Sequence, residues 1–128
     1  MAKLFIQLAA INGALAVMIG AFGAHALKAR LTPELLSVYE TGVQYHFWHT
    51  LALLAVGLLA FQLPDSRALM ASGIAFIIGI ILFSGSLYLL ASTDIRQLGF
   101  MPVGLITPFG GMSFIIGWLL LLISSFKI

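Results

Sequence analysis

The chain has 128 residues, of which 62% are hydrophobic and 8% charged, and a mean hydropathy of +1.15. A water-soluble domain carries roughly 25% charged residues, so lipid rather than water is the expected solvent for most of this surface. The net charge of +2 comes from six basic and four acidic residues scattered singly, which excludes a nucleic-acid-binding stripe; the lack of cysteine excludes disulfides, iron–sulfur clusters and thiolate metal sites.

Residues 4–24 carry no charge. At 1.5 Å per residue they rise about 31 Å, enough to cross a hydrocarbon core of about 30 Å, and they form the first expected span. Lys3, this apolar stretch and Ala24-His25-Ala26 imitate a secretory signal with its cleavage site. The stretch exceeds the roughly 7–15 apolar residues of such signals and further spans follow, so a retained helix is expected. Thr32-Pro33-Glu34 then reads as a helix cap, a proline in the first turn and an acidic residue, with Leu35, Leu36, Val38 and Tyr39 supplying an apolar side. This predicts a short interfacial helix over 33–41 that ends near Gly42, or else the start of one long helix entering the next span.

The second span is expected over 43–63 and stops at Pro64-Asp65-Ser66-Arg67, where a proline, a turn-forming pair and two charges end the helix. The third covers 68–92 and ends at Thr93-Asp94-Ile95-Arg96. For the fourth, Thr107 reads as the cap and Pro108 as the first helical residue, giving a span over 108–126 and a loop or interfacial dip over 97–106. The expected fold is therefore all-α: an integral membrane four-helix bundle, one domain over 1–128, with a short interfacial helix between the first two spans. Four crossings put both termini on one side. Lys3, Arg67 and Lys127 there balance Lys28, Arg30 and Arg96 opposite, and the N-terminal amine tips the side of the termini toward the cytoplasm.

Helices in lipid associate through close backbone approach and polar contacts. At 100° per residue, Ala9, Asn12, Gly13, Ala16, Gly20 and Gly23 share one side of the first span. Ala68, Ser72, Ala75, Gly79 and Ser86 share a face of the third, and Gly110, Ser113, Gly117 and Ser124 a face of the fourth. These stripes are expected to serve packing, with Asn12 hydrogen-bonded to another helix. Trp48 and Trp118 read as lipid-facing or interfacial packing.

The side of the membrane opposite the termini collects the polar residues, and His25, Glu40, Gln44, Tyr45, His46 and His49 form the candidate ligand cluster. His46 and His49 lie three apart on one helical face, within reach of a common partner. Buried ionisable groups in a membrane are functional candidates because their burial is costly. These histidines read first as interhelical hydrogen-bond partners, with proton or ion handling and metal or haem binding as the alternatives. His25, His46 and His49 are the candidate metal ligands. The start of the fourth span, with Thr107, Gly110 and Gly111, is a candidate anion or headgroup site. No carboxylate lies mid-span, and no serine–histidine pair, H-E-x-x-H or phosphate loop is present, so neither an enzyme nor a cofactor is expected.

Three segments together carry a family likeness. Gly20-Ala21-Phe22-Gly23-Ala24-His25-Ala26-Leu27-Lys28, Tyr39 through His49 (YETGVQYHFWH), and Thr107-Pro108-Phe109-Gly110-Gly111 with Gly117-Trp118 resemble the domain-of-unknown-function family 423. This is the YgdD-like group of bacterial inner-membrane proteins, to which transmembrane protein 256 of animals is similar. The resemblance runs the length of the chain and implies a four-helix protein of the bacterial inner membrane. It assigns no activity. Two function classes follow: a membrane scaffold that binds lipid or a membrane protein partner, a second copy included, or a minimal transporter or channel for a small solute, proton or metal ion.

Overall fold

The computed structural model describes all 128 residues and is helical apart from its connecting turns and one hairpin of two two-residue strands. Helix α1 spans Ala2–Leu27, α2 Pro33–Leu59, α3 Arg67–Ser92 and α4 Val103–Ser125; α1, α3 and α4 are long and apolar enough to cross a membrane. α2 is the least apolar of the four because it concentrates Gln44, Tyr45, His46, His49 and Thr50, yet His46, His49 and Thr50 are buried. The polarity of its second half is thus interior, with Leu51 and Leu58 outside, while Glu34, Ser37, Glu40 and Gln44 of its first half are exposed.

α2 corrects the expectation of a separate interfacial helix. Thr32 caps Pro33–Leu59 through a 3.2 Å bond from the Leu35 N–H, and the helix then runs unbroken through Thr41 and Gly42. The Thr41 hydroxyl donates back to the Ser37 carbonyl at 2.9 Å, and Gly42 receives the Tyr88 ring from α3, so that glycine serves close packing rather than a break. At 27 residues α2 is about 40 Å long, some two turns more than a hydrocarbon core needs.

The fourth helix also differs from expectation. It begins at Val103, not Pro108, and Pro108 lies inside it. Val103 is fully buried and its N–H is held by the Arg96 carbonyl at 2.8 Å across a hairpin of β1 (Gln97–Leu98) and β2 (Met101–Pro102). Gly99 turns that hairpin at φ 64°, a conformation that glycine adopts without cost. Thr107 is therefore no cap: its hydroxyl pairs with Ser86 of α3 at 2.6 Å. Proline in the second turn removes the donor for the Gly104 carbonyl.

α1 lies along α2, α2 along α3 and α3 along α4, with α1 and α4 on the outer flanks. One core cluster draws on all four: Phe5 of α1, Leu53 and Val56 of α2, Leu69 and Phe76 of α3, and Phe114 of α4. Outside it stand bare apolar side chains on every helix, such as Val17, Leu51, Ile81 and Ile115. The small-residue stripes lie where the spacing predicts. Ala9, Ala16 and Gly23 of α1, Ser72, Ala75 and Gly79 of α3, and Gly110, Gly117 and Ser124 of α4 are buried, and Asn12, Gly13 and Gly20 are half-buried.

Both α1 and α3 contain a turn of π-helix, Gly23–Leu27 and Ile80–Ser84. The termini sit at one end, where the Ala2 carbonyl lies beside Gly57 and Lys127 beside residues 62–66.

Candidate functional site: a two-histidine hydrogen-bond network

The candidate cluster is divided by the helices that carry it. His46 and His49 point inward and diverge; His25, Glu40 and Gln44 are exposed; Tyr45 is half-buried between α2 and α4. On a continuous helix the six residues from Glu40 to His46 turn about 600°, which leaves Glu40 about 120° off the histidine face. No three histidine, aspartate or glutamate side chains come together as a metal-ligand group, so the expectation of a site from His25, His46 and His49 is corrected. The expected anion site is corrected as well. Gly110 lies within α4 against the Phe83 backbone, and Gly111 is a further step along the same helix.

His46 reaches two helices. Its Nε2 lies 3.1 Å from Asn12 Oδ1 and its Nδ1 3.0 Å from the Tyr88 hydroxyl. Asn12 is oriented by its own Nδ2, which donates to the Leu8 carbonyl at 2.9 Å. A carboxamide oxygen only accepts, so the imidazole carries its proton on Nε2, and Nδ1 accepts from Tyr88. One neutral imidazole thereby links α1, α2 and α3.

His49 is wired in the opposite sense. Its Nδ1 lies 2.7 Å from the Tyr45 carbonyl and must donate, leaving Nε2 to accept the Trp118 indole N–H at 3.2 Å. The imidazole stacks on Phe114 at 3.5 Å between centroids, inclined by 10°, and with the Trp118 bond and the Tyr45–Phe114 pair it lies where α2 meets α4. Common access to one partner was the expectation from their three-residue spacing. The structure assigns each histidine a different neighbour, because positions three apart are still offset by about 60°.

Further bonds extend the network. Ser84 donates to the Gly42 carbonyl, Ser72 to Gly117 and Ser113 to Ala75, each at 2.7 Å, and the Tyr39 hydroxyl donates to Ile19 at 2.6 Å. No buried side-chain nitrogen or oxygen lacks a partner. Sequence reasoning missed Tyr88, Ser84 and the polar role of Trp118. Only the helical phase of Tyr88 relative to Ser84 signalled the first two. Trp118 is 49% exposed, as its lipid-facing reading expects, and the signal for its polar role lay in the indole N–H, a donor that an apolar surrounding leaves in need of a partner.

Burial of polar groups inside, bare aliphatic side chains outside and three helices of spanning length define a helical membrane protein. The chain belongs to the family described as "Protein of unknown function (DUF423)", whose pattern matches residues 19–111. It is 46% identical over 125 residues to the UPF0382 membrane protein YwdK of Bacillus subtilis, covering 98% of each chain. It is 44% identical to the UPF0382 membrane protein SSP2132 of Staphylococcus saprophyticus, over 98% of this chain and 99% of that one. Against a UPF0382 membrane protein of Haemophilus influenzae the identity is 42%, over 96% and 94%. No solved structure matches.

Proposed function

We propose that this protein is a membrane scaffold without enzymatic activity. In this reading all four helices cross the bacterial inner membrane as one bundle, both termini face the cytoplasm, and the outer surface binds lipid or a membrane protein partner. The observation that carries it is the spent state of both histidines: every ring nitrogen of His46 and His49 already has a partner on the protein. A proton relay or ion site needs a lone pair or N–H free to change partners, and these are committed: three of the four bonds tie α2 to another helix and the fourth ties His49 to Tyr45 of its own helix. The core near the termini, around Phe5, Val56 and Leu69, supports the same reading, since its buried polar side chains, Ser72 and Ser124, donate to the backbone carbonyls of Gly117 and Leu121.

Purified protein reconstituted in liposomes is expected to pass neither protons nor monovalent cations above the rate of empty liposomes. Cross-linking in native membranes is expected to capture the protein with itself or a membrane partner. Flux that disappears in His46→Ala or His49→Ala protein would overturn the scaffold reading.

A further inference from the structure

On the flank of α1 and α2 lies a hollow of about 470 Å³ that none of the preceding roles uses. Gly20 and Gly23 floor one wall; Ser37, Glu40, Thr41 and Gln44 form the other. It lies beside the π turn of α1, at the level where the uncharged stretch ends and His25, Lys28 and Arg30 begin. This is the level of lipid headgroups if α1 spans.

The lining has a definite chemistry. Thr41 and Tyr39 have spent their hydroxyl protons on the carbonyls of Ser37 and Ile19. The groups left to meet a ligand are the Glu40 carboxylate, the Gln44 carboxamide and the Ser37 hydroxyl, all exposed, and no basic side chain lines the hollow. A carboxylate beside a carboxamide oxygen suits a cation with N–H groups to donate.

A second feature fixes the rest of the ligand. An apolar groove of about 560 Å³ between the same two helices is walled by Val17, Ala21, Phe47 and Trp48. Hollow and groove share Gly20, Ala24, Val43 and Gln44, so they adjoin along the helix axes. An occupant of both must be charged at one end and aliphatic at the other.

We infer that this continuous surface is a binding site for a phospholipid with a primary ammonium headgroup, the ammonium on Glu40 and Gln44 and an acyl chain along Phe47 and Trp48. The inference rests on the scaffold reading and names the lipid class that scaffold would hold. Choline headgroups carry the same charge without N–H donors and are discriminated against.

The test uses the full chain in nanodiscs of equimolar phosphatidylethanolamine, phosphatidylcholine and phosphatidylglycerol, released gently for native mass spectrometry. Wild-type protein is expected to retain phosphatidylethanolamine over phosphatidylcholine by about tenfold, the size of one charge-assisted contact. Glu40→Gln should abolish that preference, and Ala21→Phe, which fills the groove from an exposed position, should lower retention of all diacyl lipids. Glu34→Gln, an exposed acid outside the hollow, should change nothing. Equal retention of the two lipids by wild-type protein, or an unchanged preference in Glu40→Gln, overturns the site. So does loss of preference in Glu34→Gln, which would reveal a general charge effect. If glycerophosphoethanolamine displaces the lipid as well as the intact lipid does, the site takes a free amine and the lipid assignment fails. Wild-type protein with no headgroup preference and no flux would remove this site and leave the scaffold standing, whereas flux would remove the scaffold reading itself.

Discussion

His46 donates from Nε2 to Asn12 Oδ1 at 3.1 Å, joining the most polar stretch of α2 to the one strongly polar side chain in the middle of α1. The bond works in both directions: Asn12 fixes the tautomer of His46, and the imidazole gives the half-buried carboxamide oxygen its only side-chain donor.

The strength of that bond is open to a double-mutant cycle. Interhelical hydrogen bonds in membranes average about 0.6 kcal/mol and reach about 1.7, because the unfolded helices also find partners in lipid. Asn12→Leu and His46→Phe, singly and together, should therefore show a coupling of about 0.6–1.7 kcal/mol in denaturant titrations in mild detergent. Additive effects would mean that the two side chains do not support one another.

The two imidazoles should also differ in tautomer. ¹⁵N spectra of histidine-labelled protein are expected to show His46 protonated at Nε2 and His49 at Nδ1, because one faces a carboxamide oxygen and the other a backbone carbonyl. Trp118→Phe removes the donor to His49 Nε2 and should shift that nitrogen alone, with a stability loss of about 0.6 kcal/mol. Identical tautomers for the two rings would contradict the network.

Much of the fold was legible from the chain. The uncharged runs, the Thr32 cap and the small-residue stripes follow from length, propensity and the 100° step, which act locally, whereas α2 ends at Leu59, ahead of the stop expected at Pro64-Asp65. What stayed hidden depends on neighbours. Gly42 looked like a break because glycine disfavours helices, but the Tyr88 ring occupies the space a side chain would need. Thr107-Pro108 looked like a helix start, but a hairpin pinned by the Arg96 carbonyl begins the helix a turn and a half earlier. In the candidate cluster, the spacing of His46 and His49 gave their shared burial and not their partners, which depend on where α1, α3 and α4 bring Asn12, Tyr88 and Trp118.

Two glycines of α4 should respond in opposite directions. A Cβ on Gly110 would meet the Phe83 backbone, which cannot swing aside as a side chain tip can, so Gly110→Ala should separate α3 from α4 and cost about 1–3 kcal/mol. Gly104 has open space around its Cβ position, and alanine is favoured over glycine within a helix by about 1 kcal/mol. Gly104→Ala should leave the melting temperature in detergent unchanged or raise it. A loss at Gly104 as large as at Gly110 would refute the close approach as the cause.

The orientation in the membrane can be read from two exposed aspartates at opposite ends. Asp65 sits in the turn between α2 and α3, beside Lys127, and Asp94 follows α3 at the other end. The chain contains no cysteine, so a single engineered thiol reports without background. Fixed basic charges are three against three, and only the N-terminal amine breaks the tie toward cytoplasmic termini. An impermeant maleimide on intact spheroplasts should then label Asp94→Cys and leave Asp65→Cys unlabelled until the membrane is opened. Such a close balance also gives a handle on its cause. Adding one lysine beside Asp94 should drive part of the population into the inverted orientation, visible as labelling at both positions, while adding one beside Lys3 should sharpen the contrast. Labelling of Asp65→Cys alone in intact spheroplasts would place the termini outside and assign the hollow at Glu40 to the cytoplasmic leaflet.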